Sequence, residues 1–154
     1  MFKAEQIGEY FVRRGIQTGN QIDLVQVIKI TYIAHGFYLG TMNQPLINED
    51  VEAWKYGPVI PEIYQYYKDW SKDPILKENP YIDPSPVEQV EGLDRFLDLI
   101  FNKYSLYTAS QLIRLTHQKN TPWSSVYDPA KRNVVIPQKS IADHYKSLVS
   151  KNAA

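Results

Sequence analysis

The sequence predicts a mainly α fold: a compact bundle of six to seven helices around a buried central helix, with a short two- to three-stranded β element. Three observations carry this. Apolar stripes at helical spacing recur along the chain, each bounded by a cap, a glycine or a proline. The segment from Ile22 to Leu39 is apolar nearly all round, as expected of a helix surrounded by its own domain. Two short runs rich in β-branched and aromatic residues, near 46–56 and 133–136, are the only strand signals.

Residues 3–14 form the first expected helix, with Ile7, Tyr10 and Phe11 on one face. Arg13 and Arg14 suit its last turn, and Gly15 suits the position just beyond. After a turn at Thr18-Gly19-Asn20, the second helix starts near Ile22 or Asp23 and stops at Gly40. Leu24, Val27, Ile28, Thr31, His35 and Tyr38 share one face, and Val25, Ile33 and Phe37 extend the apolar surface around it. Leu46-Ile47 and Val51 to Tyr56 read as a hairpin about Asn48-Glu49-Asp50. Trp54-Lys55-Tyr56-Gly57-Pro58-Val59 then makes a sharp corner, because Pro58 has a fixed φ and no N–H and biases Gly57 away from the helical region. Trp54 and Tyr56 are the aromatic anchors of this corner, with Trp54 expected in the core.

Pro61 suits the first turn of a third helix carrying Ile63, Tyr66, Tyr67 and Trp70 on one face and Tyr64 off it. Ser71 to Pro86 holds four prolines, at 74, 80, 84 and 86, and reads as a flexible surface loop. Ser85 is the expected cap of a fourth helix, striped by Val90, Leu93, Phe96, Leu97 and Ile100, with Glu91 and Arg95 spaced to pair. Thr108 caps a fifth helix lined by Ala109, Leu112, Ile113 and Thr116. Thr121-Pro122 repeats the cap-plus-proline start, with Trp123 anchoring a short helix. Asn133 to Ile136 adds a strand to the hairpin, and Pro137 opens a last helix that turns Ile141, Tyr145 and Leu148 inward.

A chain of 154 residues is read as one domain, 1–154. Lys plus Arg equals Asp plus Glu, at 17 each, so no global field draws it to nucleic acid or an anionic membrane. The basic pairs Arg13-Arg14 and Lys131-Arg132 read as solvated helix ends. Without cysteine there is no disulfide or thiol chemistry. The Ile22–Leu39 segment is long enough to suggest a membrane span, but Asp23, Gln26, Lys29 and His35 are expensive in lipid. Met1 to Glu5 lacks the apolar core of a signal peptide, so a cytoplasmic location is expected. The 12 tyrosines and three tryptophans supply large contact area with polar tips, a composition suited to protein surfaces that bind.

No constellation for catalysis, cofactor or metal is expected. His35, His117 and His144 do not pair at metal-ligand spacing. His35 sits on the apolar face of the central helix beside Thr31 and reads as a hydrogen-bonded core residue. His117 follows Thr116 at a helix end, where it caps carbonyls or orients the next loop; a small hydrolase using His117 is the alternative. His144 reads as surface. There is neither a nucleophile elbow nor a Gly-rich phosphate loop. The residues argue for a binding module more than for an enzyme.

Lys29-x-x-Tyr32-x-x-His35-Gly36-x-Tyr38-Leu39, Pro45-Leu46, and Glu52-Ala53-Trp54-x-Tyr56-Gly57-Pro58-Val59-x-Pro61-x-x-Tyr64 together resemble the Panacea domain, the SocA-like antitoxin family. Tyr104, Ser110-x-Leu112, Leu115-Thr116-His117, Pro122-Trp123, Val135-Ile136-Pro137 and Ile141-x-x-x-Tyr145 continue the resemblance, which spans residues 22–146. One departure is Ile30-Thr31 before Tyr32, where the family favours bulky aliphatics at both positions. The resemblance implies a helical domain of prophage or mobile-element origin that neutralises a cognate protein toxin by direct contact. No cofactor, nucleic acid or membrane partner is expected. A proteolytic adaptor, which would deliver the toxin to a protease as a second partner, is the other reading. The motif residues Lys29, Tyr32, His35, Trp54, Tyr56, Gly57, Pro58, Val59, Tyr64, Thr116, His117, Pro122 and Trp123 are then structural or partner-binding.

Overall fold

A computed structural model describes residues 1–153, with side chains to 151. Its elements run α1 (Ala4–Thr18), α2 (Leu24–Met42), β1 (Glu52–Trp54), β2 (Gly57–Val59), α3 (Pro61–Tyr67), a 3-10 turn (Lys68–Trp70), α4 (Ser85–Glu88), α5 (Leu93–Tyr104), α6 (Ala109–Thr116), β3 (Val134–Val135) and α7 (Gln138–Ala153). This is the expected helical bundle with a small sheet, and α2 is its hub.

Asp23 starts α2 by accepting from the Gln26 amide at 2.8 Å, while the Gln26 side chain accepts from the Asp23 amide at 2.9 Å. This reciprocal cap satisfies two of the donors a helix start leaves free. Every residue from Val27 to Gly36 is buried. α1, α3, α5, α6, α7 and β2 all pack on α2, α7 most extensively. Among the described residues no helix is long and apolar enough to cross a membrane.

Both helices run past the glycines expected to stop them. α1 runs through Gly15 to Thr18, and Gly19, at φ 71°, is the left-handed residue that ends it. A Cβ on Gly15 would lie 2.6 Å from the Asn20 carbonyl oxygen, so close chain approach is what that glycine serves. α2 likewise passes Gly40 and ends at Asn43, φ 57°. Gly40 instead lets α7 approach, since a Cβ there would stand 2.7 Å from the Lys146 amide nitrogen.

The hairpin is real but displaced. β1 pairs antiparallel with β2, Glu52 opposite Val59 and Trp54 opposite Gly57, so the reversal falls at Lys55-Tyr56, with Gly57 at φ 109°. Gly57 and Pro58 therefore lie in a strand and not in a corner after one. Pro58 is tolerated because the order β2-β1-β3 leaves β2 at the sheet edge, where a missing N–H breaks no inner ladder. Leu46-Ile47 pairs elsewhere: the Phe2 amide donates to the Leu46 carbonyl at 2.9 Å, and Asn48 to Phe2 at 2.9 Å. The expected third strand is present, Val134 opposite Ala53 and Val135 opposite Glu52.

On α3, Ile63 and Tyr67, four residues apart, are buried, but Tyr66 is exposed, because so short a helix turns only a narrow stripe to the core. The proline-rich stretch is packed against the bundle and is not the loose loop the prolines suggested. Ile75 and Ile82 are buried in the core, and the Ile75 amide donates to the Ile22 carbonyl at 2.9 Å. Glu9, fully buried on α1, accepts from the Asn79 amide at 2.9 Å, from Arg13 at 2.8 Å and from the Tyr67 hydroxyl. The Arg13 guanidinium also donates to the Asn79 and Ile82 carbonyls at 3.2 and 3.0 Å. A buried charge with every partner supplied is the form such a group must take.

The fourth helix is two. α4 is a single turn, entered through Pro84 with Ser85 inside it, and α5 begins afresh after Gly92 at φ 81°. Val90 is consequently exposed, and Glu91 and Arg95 form no ion pair among the described residues, because Glu91 lies in the turn before α5 and not on the same helix as Arg95. Thr108 caps α6 as expected, accepting from the Gln111 amide at 3.2 Å. Thr121 to Val126 are turns and not a short helix, with the Thr121 and Ser124 side chains bonding backbone locally.

Candidate functional site

Lys29 is the unusual residue of α2. Only 3% exposed, its ammonium donates to the Pro58 carbonyl at 2.8 Å, and burial lowers its pKa to about 7. Gly57 lies over it. A Cβ at Gly57 would meet the Lys29 nitrogen at 3.1 Å and the Thr116 hydroxyl oxygen at 3.3 Å, so α2, β2 and α6 converge at a residue without a side chain. Thr116 is itself bonded to the Leu112 carbonyl at 2.9 Å.

The tip of the hairpin is held from one side by the segment after α6. The Trp123 indole donates to the Trp54 carbonyl at 2.6 Å, and a ring nitrogen of His117, Nε2, lies 3.3 Å from the Lys55 carbonyl oxygen. The His117 ring stacks on Trp123 with centroids 3.9 Å apart, and Tyr127 stacks against Trp123 at 4.6 Å. Pro122 is buried beside Trp123 and turns the chain into this stack. His117 thus works as a backbone clamp and aromatic neighbour.

On the opposite side of the hairpin, Trp54 meets Tyr64 of α3 edge to face at 5.3 Å. Trp54 is half-buried and not a core residue, and Tyr56 is 62% exposed. Together with Leu24, Ile28, Val59 and Ile113 these rings enclose an apolar cleft of about 220 Å³, with Lys29 in its wall and Lys55 and Tyr56 at its rim. The Lys55 ammonium sits 5.5 Å above the Tyr56 ring.

Tyr32 and His35 lie apart from this site, in the core. Tyr32 packs edge to face on Tyr145 at 5.9 Å. His35 Nδ1 accepts from the Leu46 and Ile47 amides at 3.3 and 3.5 Å, and burial pushes its pKa down to about 4. His144, read as surface, is half-buried against the Tyr145 ring at 5.0 Å. The remaining motif residues, Lys29, Trp54, Tyr56, Gly57, Pro58, Val59, Tyr64, Thr116, His117, Pro122 and Trp123, gather around the hairpin. Lys55, Ile113, Tyr127 and the Lys131-Arg132 pair join them, although none is a motif residue. Ile113 is visible in sequence only as part of the apolar face of α6, and Lys131-Arg132 only as adjacent basic residues; Lys55 and Tyr127 carry no signal of their own.

Residues 27–124 match the family model described as "Antitoxin SocA-like, Panacea domain". The chain belongs to the SocA-like antitoxin family. The Panacea match begins within α2 and ends one residue beyond Trp123, so it contains the whole hairpin, His117 and Trp123, but not Tyr127. Among curated relatives, "Antitoxin SocA" of Caulobacter vibrioides (strain NA1000 / CB15N) is 31% identical over 109 residues, which cover 64% of this chain and 56% of that protein. The chain thus matches a little over half the length of this relative. No solved structure matches the chain significantly.

Proposed function

We propose that the chain is an antitoxin that neutralises a cognate protein toxin by stoichiometric binding. The carrying observation is the aromatic-rimmed apolar cleft at the hairpin, with Tyr56 exposed beside it. Aromatic anchors around a desolvated pocket, ringed by polar groups, are the usual energetic centre of a protein–protein contact. The match of both family and curated relative to antitoxins supports the same reading. Catalysis by His117 is disfavoured by its engagement with Trp123 and the Lys55 carbonyl.

The test is co-expression with the protein encoded beside it, followed by pull-down and by mixing the purified proteins. Growth inhibition should be relieved in step with formation of a complex. Relief without any complex would overturn direct binding. A complex that leaves the toxin active until a protease is added would make the chain an adaptor instead.

A further inference from the structure

The apolar cleft has a neighbour. Across the ridge formed by Trp54 and Lys55 lies a second, open groove of about 360 Å³, lined by Trp54, Lys55, Tyr127, Lys131 and Arg132. The charged side chains lining the cleft are Lys29 and Lys55, and those lining the groove are Lys55, Lys131 and Arg132. All are cations, and no aspartate or glutamate lines either hollow. None of the four forms an ion pair among the described residues. In a chain whose acids and bases balance at 17 each, this is a local excess of positive charge; the neighbouring Glu52 carboxylate accepts from the Trp54 indole at 3.0 Å and forms no ion pair with these cations among the described residues.

We propose that this surface takes an acidic, apolar segment of the partner protein: one aliphatic or aromatic side chain enters the cleft while neighbouring carboxylates pair with Lys55, Lys131 and Arg132. This rests on the toxin-binding reading above and specifies the chemistry of what is bound. The cleft, at about 220 Å³, is smaller than the roughly 300–1,000 Å³ of sites that enclose small-molecule ligands, and suits a single side chain. Lys55, Lys131 and Arg132 are exposed, so they attract carboxylates from a distance and set orientation on contact. A single-stranded nucleic acid is the less suitable occupant. It would need a longer basic track for its phosphates, and it would leave the apolar cleft unfilled.

The experiment titrates the full chain, by fluorescence anisotropy at low salt, with three labelled short peptides. Each carries a central Leu-Phe pair flanked by glutamate, by glutamine or by lysine. A short oligo-dT is the fourth probe. The glutamate peptide should bind about tenfold tighter than the glutamine peptide, and the lysine peptide weakest. The triple variant Lys55→Glu, Lys131→Glu, Arg132→Glu, which alters only exposed side chains and should melt like the wild type, should abolish that preference. Ile113→Arg, which places a charge on the cleft wall, should weaken the glutamate and glutamine peptides alike. Equal binding of these two, binding of neither, or a preference that survives the triple variant overturns the proposal. Tighter binding of oligo-dT overturns it in favour of nucleic acid. The complex with the neighbouring toxin separates the two levels. If the wild type forms it and the triple variant forms it equally well, the acidic segment is wrong and the antitoxin reading stands. If the wild type forms none, the antitoxin reading fails and the peptides still decide the surface.

Discussion

The Lys29 ammonium donates to the Pro58 carbonyl at 2.8 Å, joining the buried middle of α2 to the edge strand of the hairpin. Pro58 cannot donate to a ladder, but its carbonyl accepts, and the lysine supplies the donor from below. This bond brings a charge into the core, and its cost depends on pH.

Burial lowers the Lys29 pKa from 10.5 to about 7. Between these values the unfolded chain binds more protons than the folded one, so this group makes stability rise with pH across that window. Below about 7 both states are protonated, and the full cost of burying the ammonium remains. Lys29→Met removes the component. In urea melts the wild type should gain on the variant between about pH 7 and pH 9.5. Parallel pH dependence in the two proteins would place the ammonium in water.

Trp123 and Trp54 should differ in their importance to the fold. Trp123 is 7% exposed, stacked on two rings and bonded to the Trp54 carbonyl, so Trp123→Ala should cost about 3–5 kcal/mol. Trp54 is half-buried at the cleft rim, and Trp54→Ala should cost less, about 2 kcal/mol. Denaturant unfolding of both variants measures the order. A larger loss at Trp54 would return it to the core role its position in the motif suggested.

Gly40→Ala should destabilise although alanine is the better helix former by about 1 kcal/mol. The added Cβ would stand 2.7 Å from the Lys146 amide nitrogen and 2.8 Å from the Tyr145 carbonyl carbon, and backbone cannot swing aside as a side chain does. The net loss should be about 1–3 kcal/mol, the usual cost of overpacking. A rise in Tm would mean that α2 and α7 are not in contact there.

Thr31→Val should stabilise. Thr31 is fully buried in α2, and its hydroxyl has no partner among the described residues. Replacing an unsatisfied hydroxyl by a methyl of the same shape removes a desolvation cost of about 1 kcal/mol. That corresponds to a rise in Tm of about 2–4 °C for a chain of this size. An unchanged or lower Tm would show that the hydroxyl is bonded in solution.

Much of this architecture was legible along the chain, because it depends on local periodicity and capping. The Thr108 cap, the start of α2 near Asp23, its apolar girdle and the strand at Val134-Val135 follow from spacing and residue type alone. The motif residues were also legible, and most of them come together at the hairpin. Where a local signal has an equal competitor, tertiary contacts decide. Gly15 and Gly19 are both plausible helix stops, and the approach of Asn20 decides between them. Leu46-Ile47 is as good a strand as its neighbour, and the distant Phe2 claims it.

The site itself required the tertiary structure. Nothing in sequence places Lys29 under Gly57, sets His117 against Trp123, or brings Lys131 and Arg132 to the far side of Trp54 and Lys55. The proline-rich stretch shows the same division. Its prolines rule out regular structure locally, yet Ile75, Ile82 and Asn79 are packed and bonded by α1 and Ile22, more than 50 residues earlier. By itself the sequence determined which segments coil and which residue types are available for contact. Which of those residues face one another, and with what charge around them, was decided by packing on α2, because burial and electrostatics depend on neighbours in space and not along the chain.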